Sequence, residues 1–135
     1  MITYRKLNGY KYELLAGYIH ADVNIPGMVG NDYVVLDNSY LLIRKGYAWD
    51  GASGPTIDTK TSMRGSLVHD ALYQLMREKM ISLDYREEAD KELHRTLLED
   101  GMLKFRADYW YWFVRKFAAS SAVTEKHPRG EVIEL

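Results

Sequence analysis

His69 and Asp70 stand side by side in Leu-Val-His-Asp-Ala-Leu-Tyr, inside a run whose apolar residues recur with a helical period. Neighbouring helical residues point about 100° apart, so the two side chains serve adjacent tasks, one abstracting a proton and the other holding a metal. Ser66 lies one turn before His69 and Tyr73 one turn after it, which makes a polar stripe beside the apolar one. A neutral imidazole activates water when an acceptor holds its other nitrogen. The candidate acceptor is Asp90 in Ala89-Asp90, which a second, antiparallel helix brings towards His69.

Asp50 is the third carboxylate of interest. It lies in Gly-Tyr-Ala-Trp-Asp-Gly-Ala-Ser-Gly-Pro, residues 46–55, where the glycines and the proline mark a loop with special backbone angles. Calcium takes about six to eight oxygens from carboxylates, carbonyls and water. Asp50, a carbonyl near Gly51, and Asp70 form part of such a shell, with water or a substrate oxygen completing it. Zinc fits less well, because there is no cysteine and His20, His69, His94 and His127 are scattered. Each residue also has a plainer reading: His69 as a core histidine, Asp90 as an exposed helix charge, Asp50 as a turn residue satisfying backbone donors. Ser53 with Pro55 reads as a cap for the following segment, since Gly-Ala-Ser-Gly lacks the strand-to-helix elbow of a serine hydrolase.

The elements that must position these groups divide the chain in two. Residues 1–45 read as strands: 2–7 and 10–15 around Asn8-Gly9, 18–25 ending at Pro26-Gly27, then 33–36 and 40–44 around Asp37-Asn38-Ser39. Residues 46–61 form the glycine-rich loop. Residues 62–121 read as three helices. The first covers 62–78. The second starts near Asp84, where Asp84 and Glu87 fit a capping box, carries Tyr85, Ala89, Leu93 and Leu97 as its stripe, and stops at Gly101. The third covers 104–120, with Phe105, Tyr109, Trp112, Phe113 and Phe117 expected inward and Trp110 and Tyr111 outward, towards a partner protein or a membrane interface. Arg115 could reach a carboxylate or a phosphate, or stay in a surface ion pair. Residues 122–135 read as an irregular tail. The expected fold is α+β: one domain with an N-terminal antiparallel sheet followed by a three-helix unit.

Composition sets the outer limits. The chain has 135 residues, enough for one domain with a core that needs no disulfide. A net charge of −1 offers no field for nucleic acid, and none is expected as a partner. No apolar run reaches the roughly 20 residues that span a bilayer, and no signal-peptide pattern opens the chain. If the protein leaves the cell, the expected route is lysis or a particle.

Two resemblances add to this reading. Residues 46–55, then Leu67 to Tyr73, then Arg86 with Ala89-Asp90, then Val114-Arg115-Lys116-Phe117 are similar to a family of uncharacterised bacteriophage and prophage proteins, a resemblance that implies a location in the host cytoplasm or a virion. More distantly, Asp50-Gly51-Ala52-Ser53, His69-Asp70-Ala71-Leu72-Tyr73, and Arg86 with Ala89-Asp90 resemble the bacterial and fungal phospholipase A2 pattern, in which an Asp-Gly-Cys-Ser loop precedes a His-Asp-x-x-Tyr helix and a second antiparallel helix supplies another Asp. That resemblance implies a calcium-dependent ester hydrolase: His69 as general base, Asp90 as its orienting partner, Tyr73 supporting the pair, Asp50 and Asp70 with Gly51 as calcium ligands, and a phospholipid or other ester as substrate. The chain departs from the pattern at Ala52, where the loop cysteine would stand. The other expectation is a non-catalytic virion or tail-associated scaffold, and a third is a small inhibitor of a host protein that docks through Trp110 and Tyr111.

Overall fold

The computed structural model describes residues 1–7, 11–51 and 58–123. The turn at Asn8-Gly9, the expected cap at Ser53 and Pro55, Ala52, and the tail from Thr124 lie outside the described residues. The architecture is α+β, an N-terminal antiparallel region followed by three helices.

Two small sheets stand where one was expected. In the first, β1 (Tyr4–Lys6), β2 (Tyr12–Leu14) and β7 (Ala48–Trp49) lie in the order β1-β2-β7, with Tyr4 opposite Leu14 and Tyr12 opposite Trp49. In the second, β3 (Tyr18–His20), β4 (Met28–Gly30), β5 (Val34–Asp37) and β6 (Tyr40–Ile43) lie in the order β3-β6-β5-β4. The chain bends at residues 15–16, so β3 leaves the first sheet and pairs with β6. The strand expected over 18–25 ends at His20, because Asp22 takes a positive φ of 65° that no strand accommodates. The β5–β6 turn is the one its residues ask for: Asp37 pairs with Tyr40, leaving Asn38 at φ 56° and Ser39 between the strands. Leu14, Val34, Leu36, Leu41 and Ile43 are fully buried, and both sheets share one core with the first helix.

Helix α1 (Met63–Arg77) begins after Ser62 and ends before Glu78, and most of its length is buried. Helix α2 (Arg86–Glu99) runs back along it. Arg64 meets Asp100, Gly65 approaches Leu93 and Leu97, and His69 meets Asp90. A Cβ on Gly65 would come within 3.1 Å of Leu97 Cδ2 and 3.2 Å of Leu93 Cδ1, so glycine sets the close approach of the pair. The Asp84–Glu87 capping box is not formed. Ser82 Oγ instead accepts from the Asp84 backbone N–H at 3.0 Å, capping one 3₁₀ turn (Leu83–Tyr85) that leads into α2. At the other end Gly101 is the stop, with φ 95°, and Met102 N–H donates back to Leu97 O at 3.0 Å, the Schellman closure.

Helix α3 (Lys104–Phe117) faces the core the other way round from the expectation. Its buried residues are Ala107, Trp110 and Val114, packed on Leu93, Leu97 and Met102, while Phe105, Tyr109, Trp112 and Phe117 are exposed. Small Ala107 and branched Val114 allow close contact with α2, and a single Trp110 fills the remaining space. Trp110 is 2% exposed and so cannot be the outward partner-binding residue that its place in the aromatic run suggested.

Candidate functional site

Asp90 is the centre of the site. It is completely buried on α2 and faces three donors. His69 Nε2 on α1 lies 2.7 Å from Oδ1, Tyr73 OH donates to the same oxygen at 2.6 Å, and Arg115 Nη1 on α3 donates to Oδ2 at 2.8 Å. Arg86 stands one turn before Asp90, with Nη2 3.8 Å from Oδ2. It donates through Nε to Tyr73 OH at 3.0 Å and through Nη2 to the carbonyls of Val114 and Arg115. All three helices thus meet on one carboxylate.

Electrostatics fixes the protonation of this cluster. Burial pushes the Asp90 carboxyl up, but hydrogen bonds from His69, Tyr73 and Arg115 outweigh it and hold the group below its ordinary range. Burial, and then the adjacent Asp90 charge, drive Tyr73 well above the usual phenol value, so Tyr73 remains a donor. An ionised carboxylate only accepts. Nε2 of neutral His69 must therefore carry the ring proton, which leaves Nδ1 as the basic nitrogen. Nδ1 accepts no hydrogen bond from any described residue. The Tyr73 ring, 4.2 Å from the imidazole between centroids, fixes the ring's plane.

His69 opens on a cavity of about 80 Å³, also lined by Asp50, Gly51, Ser66, Asp70 and Trp110. That volume holds a few water molecules. The loop's first residues reach the cavity because β7 is tied to α1: Trp49 Nε1 donates to Ser66 Oγ at 3.1 Å, and Tyr47 OH donates to Gln74 at 3.1 Å and to Asp70 Oδ2 at 3.4 Å. Gly51, at φ 82°, lies against Tyr12 and Asp58, whose side chains share a 2.7 Å hydrogen bond. Burial, with help from Asp58, pushes the Tyr12 phenol up to about 12.

No known family, curated protein or solved structure matches the chain.

The site therefore gathers His69, Asp70, Tyr73, Asp90, Asp50 and Gly51 around one place, with Trp110 lining it from α3 rather than facing outward. Tyr111 is half-buried, its ring edge against His94. Among the described residues no three His, Cys, Asp or Glu side chains converge as a metal-binding group. Asp50 and Asp70, the two carboxylates expected to hold calcium, both line the cavity, and they share it with the side chains of Ser66, His69, Tyr73 and Arg77. Arg115 reaches a carboxylate, that of Asp90, one of the partners its sequence position allowed, whereas Arg86 beside Asp90 and the phenol of Tyr47 near Asp70 were not assigned from the sequence. Arg86 could have been, since it lies four residues from Asp90 on one helix face.

Proposed function

We propose that this chain is a calcium-assisted ester hydrolase of the phospholipase A2 type. The observation that carries the reading is His69: its Nε2 is held by a buried, ionised Asp90 while Nδ1, the basic nitrogen, belongs to a side chain lining a cavity with room for a few waters beside Asp50 and Asp70.

His69 Nδ1 takes a proton from a water in that cavity as the water oxygen attacks the ester carbonyl. The new imidazolium is stabilised by Asp90, which keeps its charge, and then returns the proton to the departing alkoxide. Water and ester become acid and alcohol. Tyr73 and Arg115 hold Asp90 in place, and Arg86 holds Tyr73, so the imidazole is oriented before substrate arrives. Asp50 and Asp70, with carbonyl oxygen near Gly51 and water, would hold calcium, which when bound polarises the ester carbonyl. With only two protein carboxylates, affinity falls in the weak range, about 10⁻⁴–10⁻³ M.

The test joins hydrolysis of phospholipid and short-chain esters with calcium calorimetry. Calcium-dependent turnover is expected in the native chain, lost in His69→Asn with the fold intact by circular dichroism. Asp70→Asn should lose calcium binding. Absence of both turnover and calcium binding in the native chain would overturn the reading.

A further inference from the structure

Helix α3 carries two apolar faces, and only one meets the core. Ala107, Trp110 and Val114 face inward. On the opposite side Phe105, Tyr109 and Trp112 follow at i, i+4 and i+7, and with Phe117 they are 44 to 74% exposed. Leu103, just before the helix, is 65% exposed. These rings support one another: Tyr109 stacks on Trp112 at 6.0 Å, and Phe117 meets Trp112 edge-on at 5.9 Å. A contiguous aromatic patch left in water marks a surface that is covered in function.

The charges around it say what covers it. Lys104 and Arg106 lie at one end of α3 and Arg115 and Lys116 at the other. Asp108 is the helix's only acid, and it is paired with Lys104 at 2.6 Å and with His94 at 2.7 Å. Four bases against one acid give this helix a formal +3 in a chain of net −1, with Lys104 paired to Asp108 and Arg115 to the buried Asp90 of α2. Trp, Tyr and Phe in a stripe bounded by Lys and Arg match the boundary between anionic lipid headgroups and acyl chains. A second copy fits poorly, because an antiparallel pair of these helices would set Lys104 and Arg106 against Arg115 and Lys116. No helix among the described residues is long and apolar enough to cross a membrane, so α3 would lie along the surface.

We infer that the outer face of α3 docks this protein on an anionic lipid surface, with Phe105, Tyr109 and Trp112 entering the interface and Lys116 meeting headgroups. The inference is independent of the catalytic reading, because vesicle binding is measured without turnover. Fluorescence provides a built-in reporter: Trp49 and Trp110 are already buried, so a blue shift on adding vesicles reports Trp112.

The experiment uses the full chain with vesicles of phosphatidylcholine alone or mixed with phosphatidylglycerol, read by co-sedimentation and by Trp emission. Binding with a blue shift is expected on the anionic vesicles, weakened roughly tenfold or more by Phe105→Ser with Trp112→Ala. Lys116→Glu should weaken anionic binding by at least about fivefold while leaving the fold unchanged. All three side chains are exposed, so folding is retained, and circular dichroism checks it. No binding to anionic vesicles, or binding that both variants leave unchanged, would overturn the inference. So would a concentration-dependent dimer, by analytical ultracentrifugation, that the Trp112 variant abolishes.

Discussion

Replacing Asp90 by Asn tests the centre of the site, because the change keeps the shape and alters only charge and hydrogen-bonding sense. The carboxylate accepts at both oxygens, from His69 and Tyr73 on one and from Arg115 on the other. An amide has one acceptor and one donor end. If its oxygen faces His69 and Tyr73, its NH₂ meets Arg115 Nη1, donor against donor. If it is turned, the NH₂ faces Tyr73 OH, and His69 must accept at Nε2 and carry its proton on Nδ1, which removes the base. An orphaned buried donor costs about 1–3 kcal/mol and a broken buried ion pair about 3–5 kcal/mol. The Arg115 side chain is 32% exposed and can turn to water, which places the expected loss near the low end, about 2–3 kcal/mol. For a chain of this size that is a fall in Tm of roughly 10 °C. Loss of the correct tautomer should lower kcat by about 10³–10⁴-fold. The pH dependence has a fixed sign. Because the folded Asp90 titrates below its ordinary value, its contribution is complete above about pH 4 and is lost as pH falls through the folded value. Thermal melts from pH 7 into the acid range should therefore show a shallower acid limb in Asp90→Asn than in the native chain. Hydrolysis within a few fold of native would refute the assignment of Asp90 as the group that orients His69. An unchanged Tm would refute its place as the keystone of the three helices.

The parts of this molecule that sequence alone made legible are those governed by local rules or by one simple packing relation. Gly101 stops α2 because a positive φ is needed there, and Asn38 turns the β5–β6 hairpin for the same reason. Asp90 was traceable to His69 because two helices joined by a short connection must run antiparallel, and residues 69 and 90 lie at matching heights. The inward face of α3 was not legible. Five aromatics in succession, Tyr109 to Phe113, leave no polar side from which a 3.6-residue period can be read, and the residues that do face inward include the inconspicuous Ala107 and Val114. Strands β4 and β7 are three and two residues long and exist through pairing with β5 and β2, a tertiary fact with little local signal. The reach of Tyr47 to Asp70 and of Arg86 to Tyr73 likewise follows from packing.

Gly51→Ala places a Cβ 2.5 Å from Asp58 Oδ2 and 2.8 Å from Tyr12 Cε2, at a φ of 82°. It should destabilise the chain by about 1–3 kcal/mol in a denaturant melt and weaken calcium binding, and a native-like result for both would show that the turn at Gly51 does not shape the site. His20, buried where His69 is only partly so, gives a control away from the cavity. Its Nε2 pairs with Glu92 of α2 and its Nδ1 with Tyr18 OH at 2.7 Å, and Arg95 donates to Glu92 as well. Burial pushes the Glu92 carboxyl up, but hydrogen bonds from His20 and Arg95 prevail and hold it below the usual carboxylate range. Its stabilisation is therefore complete above about pH 4.3 and is lost as pH falls through the folded value. Glu92→Gln should cost about 2 kcal/mol at neutral pH, less than a fully enclosed pair because Arg95 is 40% exposed, and should flatten the acid limb of the stability curve. Because this pair ties β3 to α2 and touches no part of the cavity, esterase activity per folded molecule should stay within about twofold of native. A large activity loss in Glu92→Gln with stability intact would mean that the chemistry is served from the His20 side, and that His69 and Asp90 hold the helices together without performing it.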